Sequence, residues 1–252
     1  MSLFKRLLSK KDARTAGFSA PLTPKNPVFI IGDLHGCIRQ LRDIQSQMAA
    51  ENPTAQQVFV GDYVDRGDHA KDVLQTLYAQ RGNPQITCIR GNHEDMMLGF
   101  LQNPAETGGR WLRHGGLNTL GSFGISGIPT NSDADLLEAT ATKLRDAIGQ
   151  GILRWLDTLP TQWQSGNLAV VHAAADPNLP MALQSDQTLK WGHKDFMTTP
   201  REDGIWVAHG HTIVEEAKAE AGRIAVDTGA YATGRLTAAY VSDGDLRFLQ
   251  AG

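Results

Sequence analysis

Cysteine is scarce in this chain. Only Cys37 and Cys88 occur in 252 residues, and neither lies in a C-x-x-C pair or at zinc-finger spacing. That excludes a disulfide framework and fits a reducing, cytoplasmic setting. A basic excess is missing as well: 24 Lys and Arg stand against 27 Asp and Glu, a formal charge of −3. Nucleic acid is therefore not an expected partner, and any anionic ligand has to be drawn by local charge. Nor is there a long apolar run. The N-terminal "MSLFKRLLSKKDARTAGFSAPLTPKN" is basic, but charge interrupts its apolar residues, which excludes a signal core and stable membrane insertion. Residues 1–24 are expected to form a flexible tail, in preference to a short amphipathic helix lying on an anionic membrane.

What is present suits one globular domain over 25–252, with 41% hydrophobic and 20% charged residues. Its apolar segments are short and regular: "PVFII", "QVFV", "QITCI", "LAVV", "GIWVAH", "RIAVD" and "LTAAYV". Each is bounded by glycine or polar turns, the pattern of buried strands. Between the first three lie helical periods, Ile38, Leu41, Ile44 and Met48 in one and Val73, Leu74, Leu77 and Tyr78 in the next. Strand, helix, strand, helix, strand predicts right-handed crossovers and a parallel sheet. The closing strands, separated by "TGAYATGR" and "SDGD", read as hairpins, so the sheet system should be mixed. Residues from about 97 to 160 begin glycine-rich and continue with Leu136, Leu137, Leu144, Ile148, Ile152 and Leu156 at helical spacing. They are expected to form an inserted cap whose loops carry specificity.

Chemistry gathers where strands end. The first ends in "GDLHG", placing Asp33 and His35 two apart, on one side if the backbone stays extended. The second ends in "GDYVDRGD", with Asp62, Asp65, Arg66 and Asp68; the third in "RGNHED", with Asn92 and His93; later strands end at His172, His209 and His211. Aspartate and glycine are ordinary turn residues, but repetition of the construction at five strand ends points to one crevice at the carboxyl edge of a sheet. Carboxylate, imidazole and a neutral amide oxygen suit divalent metal. Asp33, His35, Asp62, Asn92, His172 and His211 exceed one tetrahedral shell and fit two ions bridged by a carboxylate, with Asp62 as the bridge.

"GDLHG", "GDYVDRG" and "GNHE", followed by "VHA" and "GHT", resemble the phosphoprotein phosphatase family of binuclear metallophosphoesterases, in particular its compact bacterial and phage-type serine/threonine phosphatases. The resemblance covers roughly residues 27 to 240. It implies an α/β fold, a four-layer αββα sandwich of two mixed β-sheets flanked by helices, and hydrolysis by direct attack of a metal-bridging hydroxide. It further implies two divalent ions, Mn in preference to Fe or Zn. Asp33, His35 and Asp62 would hold the first; Asp62, Asn92, His172 and His211 the second. His93 would be the general acid, Asp65 its orienting partner, and Arg66 a phosphate ligand beside Asn92, while Asp68 caps the next helix. His211 is taken as the ligand in preference to His209. Similar bacterial members carry an arginine two residues after the tryptophan of "LKWGHKDF"; here that position is His193, next to Lys194. The missing charge would come from Lys194, Arg110 or Arg113, or phosphate binding would become pH-dependent through His193. Cys37, at a helix start, is expected to be buried and without chemistry.

The expected substrate is a phosphorylated protein (phosphoserine, phosphothreonine or phosphotyrosine) or a small phosphoester. The same motifs serve dinucleoside tetraphosphate hydrolysis, for which the aromatic content near Trp111 and Phe123 is thin. A catalytically dead phosphate-binding scaffold would have no chemical need of His93 and Asp65.

Overall fold

A computed structural model describes residues 18–252. The front of the chain follows its hydrophobic periodicity: β1 (Val28–Ile31), α1 (Ile38–Glu51), β2 (Gln56–Phe59), α2 (Ala70–Gln80) and β3 (Ile86–Cys88). β1, β2 and β3 pair in parallel, as helical crossovers require. The α1 face buries Ile38, Leu41, Ile44 and Met48. α2 buries Ala70, Val73, Leu74 and Leu77, leaving Tyr78 half-buried.

The cap region holds α3 (Asn92–Gln102), α4 (Pro104–Trp111), α5 (Leu117–Ser122), α6 (Ala134–Ile148) and α7 (Gln150–Asp157). The helical stretch read through Leu136–Leu156 is two helices, because Gly149 takes φ 82°, a left-handed value that stops α6 and redirects the chain. Leu136 is accordingly not part of the buried face; it is 37% exposed, while Leu137 is buried.

The second half contains β4 (Gln162–Ser165), β5 (Leu168–Val171), α8 (Asp186–Trp191), β6 (Trp206–His209), β7 (Lys218–Glu220), β8 (Arg223–Ala225), α9 (Ala230–Thr233), β9 (Leu236–Ser242) and β10 (Asp245–Ala251). One sheet runs β10-β9-β1-β2-β3 and the other β4-β5-β6-β8-β7, both mixed. "SDGD" is the hairpin turn between β9 and β10. "TGAYATGR" is not a hairpin: it forms α9 and carries the chain from one sheet to the other, from β8 to β9. β4 and β7 have no strand signature in sequence, since both are short, partly exposed outer strands with few apolar residues.

The strands are apolar on both faces because both are covered. Phe29, Ile31 and Phe59 meet the helices. Val28, Ile30 and Val58 meet Leu168, Val170, Ala208 and Ile224 of the other sheet. The outer face of that second sheet is covered by a thinner layer with Met181, Leu189 and Phe196. Of the expected tail, residues 1–17 lie outside the described residues. Residues 18–24 are seated on the second sheet: Phe18 packs edge-on against Trp206 at 5.0 Å, Trp206 Nε1 donates to Ala20 O at 3.0 Å, and Thr23 N donates to Asn167 Oδ1 at 2.8 Å. Among the described residues, no helix is long and apolar enough to cross a membrane.

Candidate metal centre

The carboxyl ends of β1, β2, β3, β5, β6 and β8 point to one place, so the two sheets supply one cluster. Asp33, His35, Asp62, Asp65, Asn92, His93 and His172 are all buried there. The turns that carry them are not extended. His35, Asp62, Asp65, Arg66 and His211 all have positive φ, between 39° and 71°, a conformation that costs free energy and persists only where surroundings impose it. Asp33 and His35 therefore do not share a side through the strand pleat; the chain has already left β1, and a left-handed turn at His35 aims its ring. The same break separates His209 from His211. His209, the last residue of β6, faces Phe196 at 5.0 Å on the outer side of its sheet. His211, at φ 63°, turns inward to put Nδ1 2.9 Å from Asn92 Oδ1.

Backbone approach is close enough that two glycines are obligatory. A Cβ on Gly210 would collide with Asp33 Oδ1, and one on Gly91 with Asp62 Oδ1.

Two groups of candidate ligand atoms form, each within 4.8 Å: His35, Asp62 and His93, and Asp62, His172 and His211. Asp62 belongs to both. His35 Nε2 lies 3.5 Å from Asp62 Oδ2, and His172 Nε2 lies 3.4 Å from Asp62 Oδ1. His35 Nδ1 donates to Val64 O at 2.8 Å and His172 Nδ1 to Val60 O at 2.9 Å. Each bond fixes the tautomer and leaves Nε2 as an acceptor lone pair aimed inward, as a metal-binding imidazole needs. Asn92 Oδ1, also an acceptor, sits 2.8 Å from His172 Nε2. Carboxylate, imidazole and amide oxygen acceptors converging at this spacing fit a divalent cation, so the residues present suit the ions that the motifs imply.

Electrostatics agree. Burial pushes His35 down to about 3 and His211 to about 4, and lowers His172, so all three are neutral bases. Burial opposes the Asp62 charge, but the His93 ring and the His93 N–H donated to Oδ1 hold that carboxyl well below the usual range. Asp33 behaves differently. Burial, then the Asp227 and Asp62 carboxylates, raise it well above the usual range, and its oxygens accept the His211 N–H at 3.0 and 3.2 Å. Asp33 is not within either close group; His93 is, with Nε2 3.9 Å from Asp62 Oδ2.

His93 is held by the cap. Its Nδ1 lies 2.7 Å from Asp65 Oδ2, Trp111 Nε1 donates to both Asp65 oxygens at 3.0 and 3.1 Å, and Thr119 Oγ1 donates to Oδ1 at 2.7 Å. Burial disfavours charge on His93, yet Asp62 and the Asp65 hydrogen bond outweigh it and raise its pKa. Arg66 Nη1 donates to His35 Nε2 at 3.2 Å, and its guanidinium lies 5.0 Å over the Tyr231 ring. Of the other expected cations, Arg113 is exposed, and the rest have local neighbours. His193 faces Asp176 at 3.6 Å, Lys194 is 85% exposed beside Asp195, and Arg110 stacks on Trp191. Asp68 does not cap α2, which starts after His69 without a side-chain cap; it accepts from Asn118 Nδ2 instead. Cys37 is half-buried, its thiol pushed up to about 11 by burial.

Sequence reasoning missed Glu94, Trp111 and Thr119 as supports, and Asp227 and Tyr231 as neighbours. Glu94 had a signal, as the last letter of "GNHE". Its buried carboxylate accepts the N–H groups of Asp62, Tyr63 and Gly91 at 2.9, 2.7 and 3.0 Å, locking the turn that presents Asp62. Glu94→Gln keeps one acceptor oxygen but sets an amide N–H₂ against the donors on the other side, and should weaken Mn binding roughly 10- to 100-fold in a calorimetric titration. Unchanged affinity would show that the Asp62 turn holds without it. Asp227 also had one, as an aspartate at the end of "RIAVD".

A family model of calcineurin-like phosphoesterases matches residues 27–215. Among curated relatives, the chain is 36% identical over 76 residues to the symmetrical bis(5'-nucleosyl)-tetraphosphatase of Ectopseudomonas mendocina (strain ymp), covering 30% of this chain and 27% of the relative. It is 34% identical over 76 residues to a protein phosphatase 2A catalytic subunit of Dictyostelium discoideum, covering 29% and 24%. The match thus spans about a quarter of each relative's length. Among solved structures, a putative diadenosine tetraphosphatase superposes with TM-score 0.63 at 19% identity, covering 93% of this chain and 99% of that one. A cold-active protein-tyrosine phosphatase of a psychrophile Shewanella sp. gives 0.55 at 18%, covering 89% and 80%. These likenesses extend the fold over nearly the whole chain. With the family model covering more than half its residues, and with the three motifs gathered around one metal-capable cluster, the chain belongs to the calcineurin-like phosphoesterases, as a metallophosphoesterase of phosphoprotein phosphatase type.

Proposed function

We propose that the protein is a binuclear metal-dependent phosphatase of phosphorylated proteins, acting on phosphoserine or phosphothreonine and tolerating phosphotyrosine. The observation that carries this reading is the shared Asp62, common to two groups of ligand atoms, with the His93–Asp65 pair beside it. Asp33, His35 and Asp62 would hold one ion, and Asp62, Asn92, His172 and His211 the other. Bound ions supply Lewis acidity toward the phosphoryl oxygens and lower the pKa of a water at the site.

The remaining work falls to side chains. Arg66 offers a planar donor fork to the phosphoryl oxygens. His93 carries the proton: with Nδ1 held by Asp65, Nε2 is the atom that gives it to the departing alkoxide. Asp65 keeps that ring aimed, and Trp111 and Thr119 keep Asp65 aimed.

Dinucleoside tetraphosphate hydrolysis is the second reading, favoured by the likeness to the bis(5'-nucleosyl)-tetraphosphatase. Against it, the surface groove of the cap is lined by aliphatic residues, with no aromatic to stack on a base. Side-by-side turnover of phosphopeptides and diadenosine tetraphosphate by Mn-loaded protein decides between them. The expected kcat/KM is at least about tenfold higher on a phosphopeptide; the reverse order would replace the first reading with the second.

A further inference from the structure

The cap carries a groove that the phosphatase chemistry does not use. Leu117, Leu120 and Gly121 of α5 form one wall, and the 125–129 loop, with Ile125, Ile128 and Pro129, forms the other, enclosing about 460 Å³. Leu117 is 40% exposed at its rim, whereas Leu120 is buried at its base. Its lining is aliphatic apart from Ser126 and the glycines. At Leu117 and Gly121 the groove continues into a polar depression of about 350 Å³ lined by Asp68, Asn118 and Ser122. That depression begins two residues after Arg66, and Gly115, just before α5, accepts the Arg66 N–H at 3.3 Å. A chain leaving the phosphate site by this route meets an acidic, polar compartment and then an apolar one.

We propose that this groove reads the sequence flanking the phosphorylated residue, preferring an extended phosphopeptide with a basic side chain near the phosphate and an aliphatic one beyond it. The inference rests on the phosphopeptide reading given above and names the substrate class within it. Asp68 supplies the negative charge for the basic residue. Leu117, Ile125, Ile128 and Pro129 remove the aliphatic side chain from water, a contact that discriminates by shape and area with no directional bond. The glycines supply the room. A Cβ on Gly121 or Gly127 would meet nothing within 4 Å. The groove also lies on the helix that serves catalysis, since α5 bears Thr119, the donor to Asp65 Oδ1.

Gly121 allows a direct test. It sits in α5 without positive φ and with open space ahead of it, so Gly121→Phe plugs the groove with no backbone clash and with better helix propensity. The substrates are phosphoserine peptides of one polar sequence in which a single Leu is moved stepwise along both flanks, with p-nitrophenyl phosphate as the groove-independent control. Mn-loaded wild type should favour Leu at one flank position by roughly tenfold in kcat/KM over Ser at that place. Gly121→Phe should erase that preference while p-nitrophenyl phosphate turnover and melting temperature hold. Leu117→Ser should reduce it in part, and Asp68→Asn should remove a preference for Arg near the phosphate and spare the one for Leu. Two results overturn the groove: phosphopeptides turned over with no positional preference, or a folded Gly121→Phe protein that keeps the full preference. If no phosphopeptide is turned over while diadenosine tetraphosphate is split, the phosphopeptide reading falls and the groove proposal with it.

Discussion

Replacing His93 by Asn should leave the metal content intact and slow hydrolysis of alkyl phosphates by roughly 10² to 10⁴, the contribution of a positioned general acid. An alkoxide is a poor leaving group and needs its proton; a nitrophenolate needs little, so the loss on p-nitrophenyl phosphate should be much smaller. The structure makes this experiment sharper than the motifs alone do. His93 Nδ1 is committed to Asp65 at 2.7 Å, but Nε2 reaches within 3.9 Å of Asp62 Oδ2, inside the same close group as His35. Nε2 thus has the reach to act as proton donor or as ligand, and metal content measured beside turnover tells these apart. Asp65→Asn should show the same leaving-group dependence in milder form, because the ring would be misaimed without losing its nitrogen. Should His93→Asn release an ion, or slow both substrate types equally, His93 is a ligand or an electrostatic stabiliser, and the acid has to be another group.

Asp62→Asn should be more damaging, because one carboxylate serves both groups. The neutral amide keeps the Oδ1 acceptor that the His93 N–H uses at 3.0 Å, so the turn itself should survive. What disappears is the negative charge that His35 Nε2 and His172 Nε2 face at 3.5 and 3.4 Å. Both ions should be lost at micromolar metal, and activity on every substrate should fall by at least roughly 10³, since an ion that stabilises the transition state by several kcal/mol goes with them. The metal-free fold should lose some stability as well, because a carboxyl held below its usual range is favoured as a charge by the folded state. Two ions bound tightly by Asp62→Asn would show that another residue bridges.

Much of this was legible in sequence where chemistry and periodicity coincide. Apolar strands covered on both faces read as uninterrupted runs, and each reactive residue followed directly after one, so the crevice could be placed before the fold was known. The turns could not be read in the same way. Pleat alternation would set Asp33 beside His35 and His209 beside His211, but left-handed residues at His35 and His211 break that alternation, and one-dimensional spacing does not report φ. Supports across long separations were silent as well. Trp111 and Thr119 reach Asp65 over 46 and 54 residues, a proximity set by the packing of the cap against the β2 turn. β4 and β7 were missed because outer strands need no apolar run, and the role of "TGAYATGR" because a hairpin turn and a sheet-to-sheet crossing use the same glycines.

The central claim is that two ions sharing Asp62 are needed for hydrolysis. It is tested most directly by stripping the protein with chelator, verifying the metal content, and returning Mn stepwise while phosphatase activity is recorded. The account predicts no measurable turnover by the stripped protein and activity that saturates only as the second equivalent binds. Full turnover by verified metal-free protein, or a plateau at one equivalent, would contradict it.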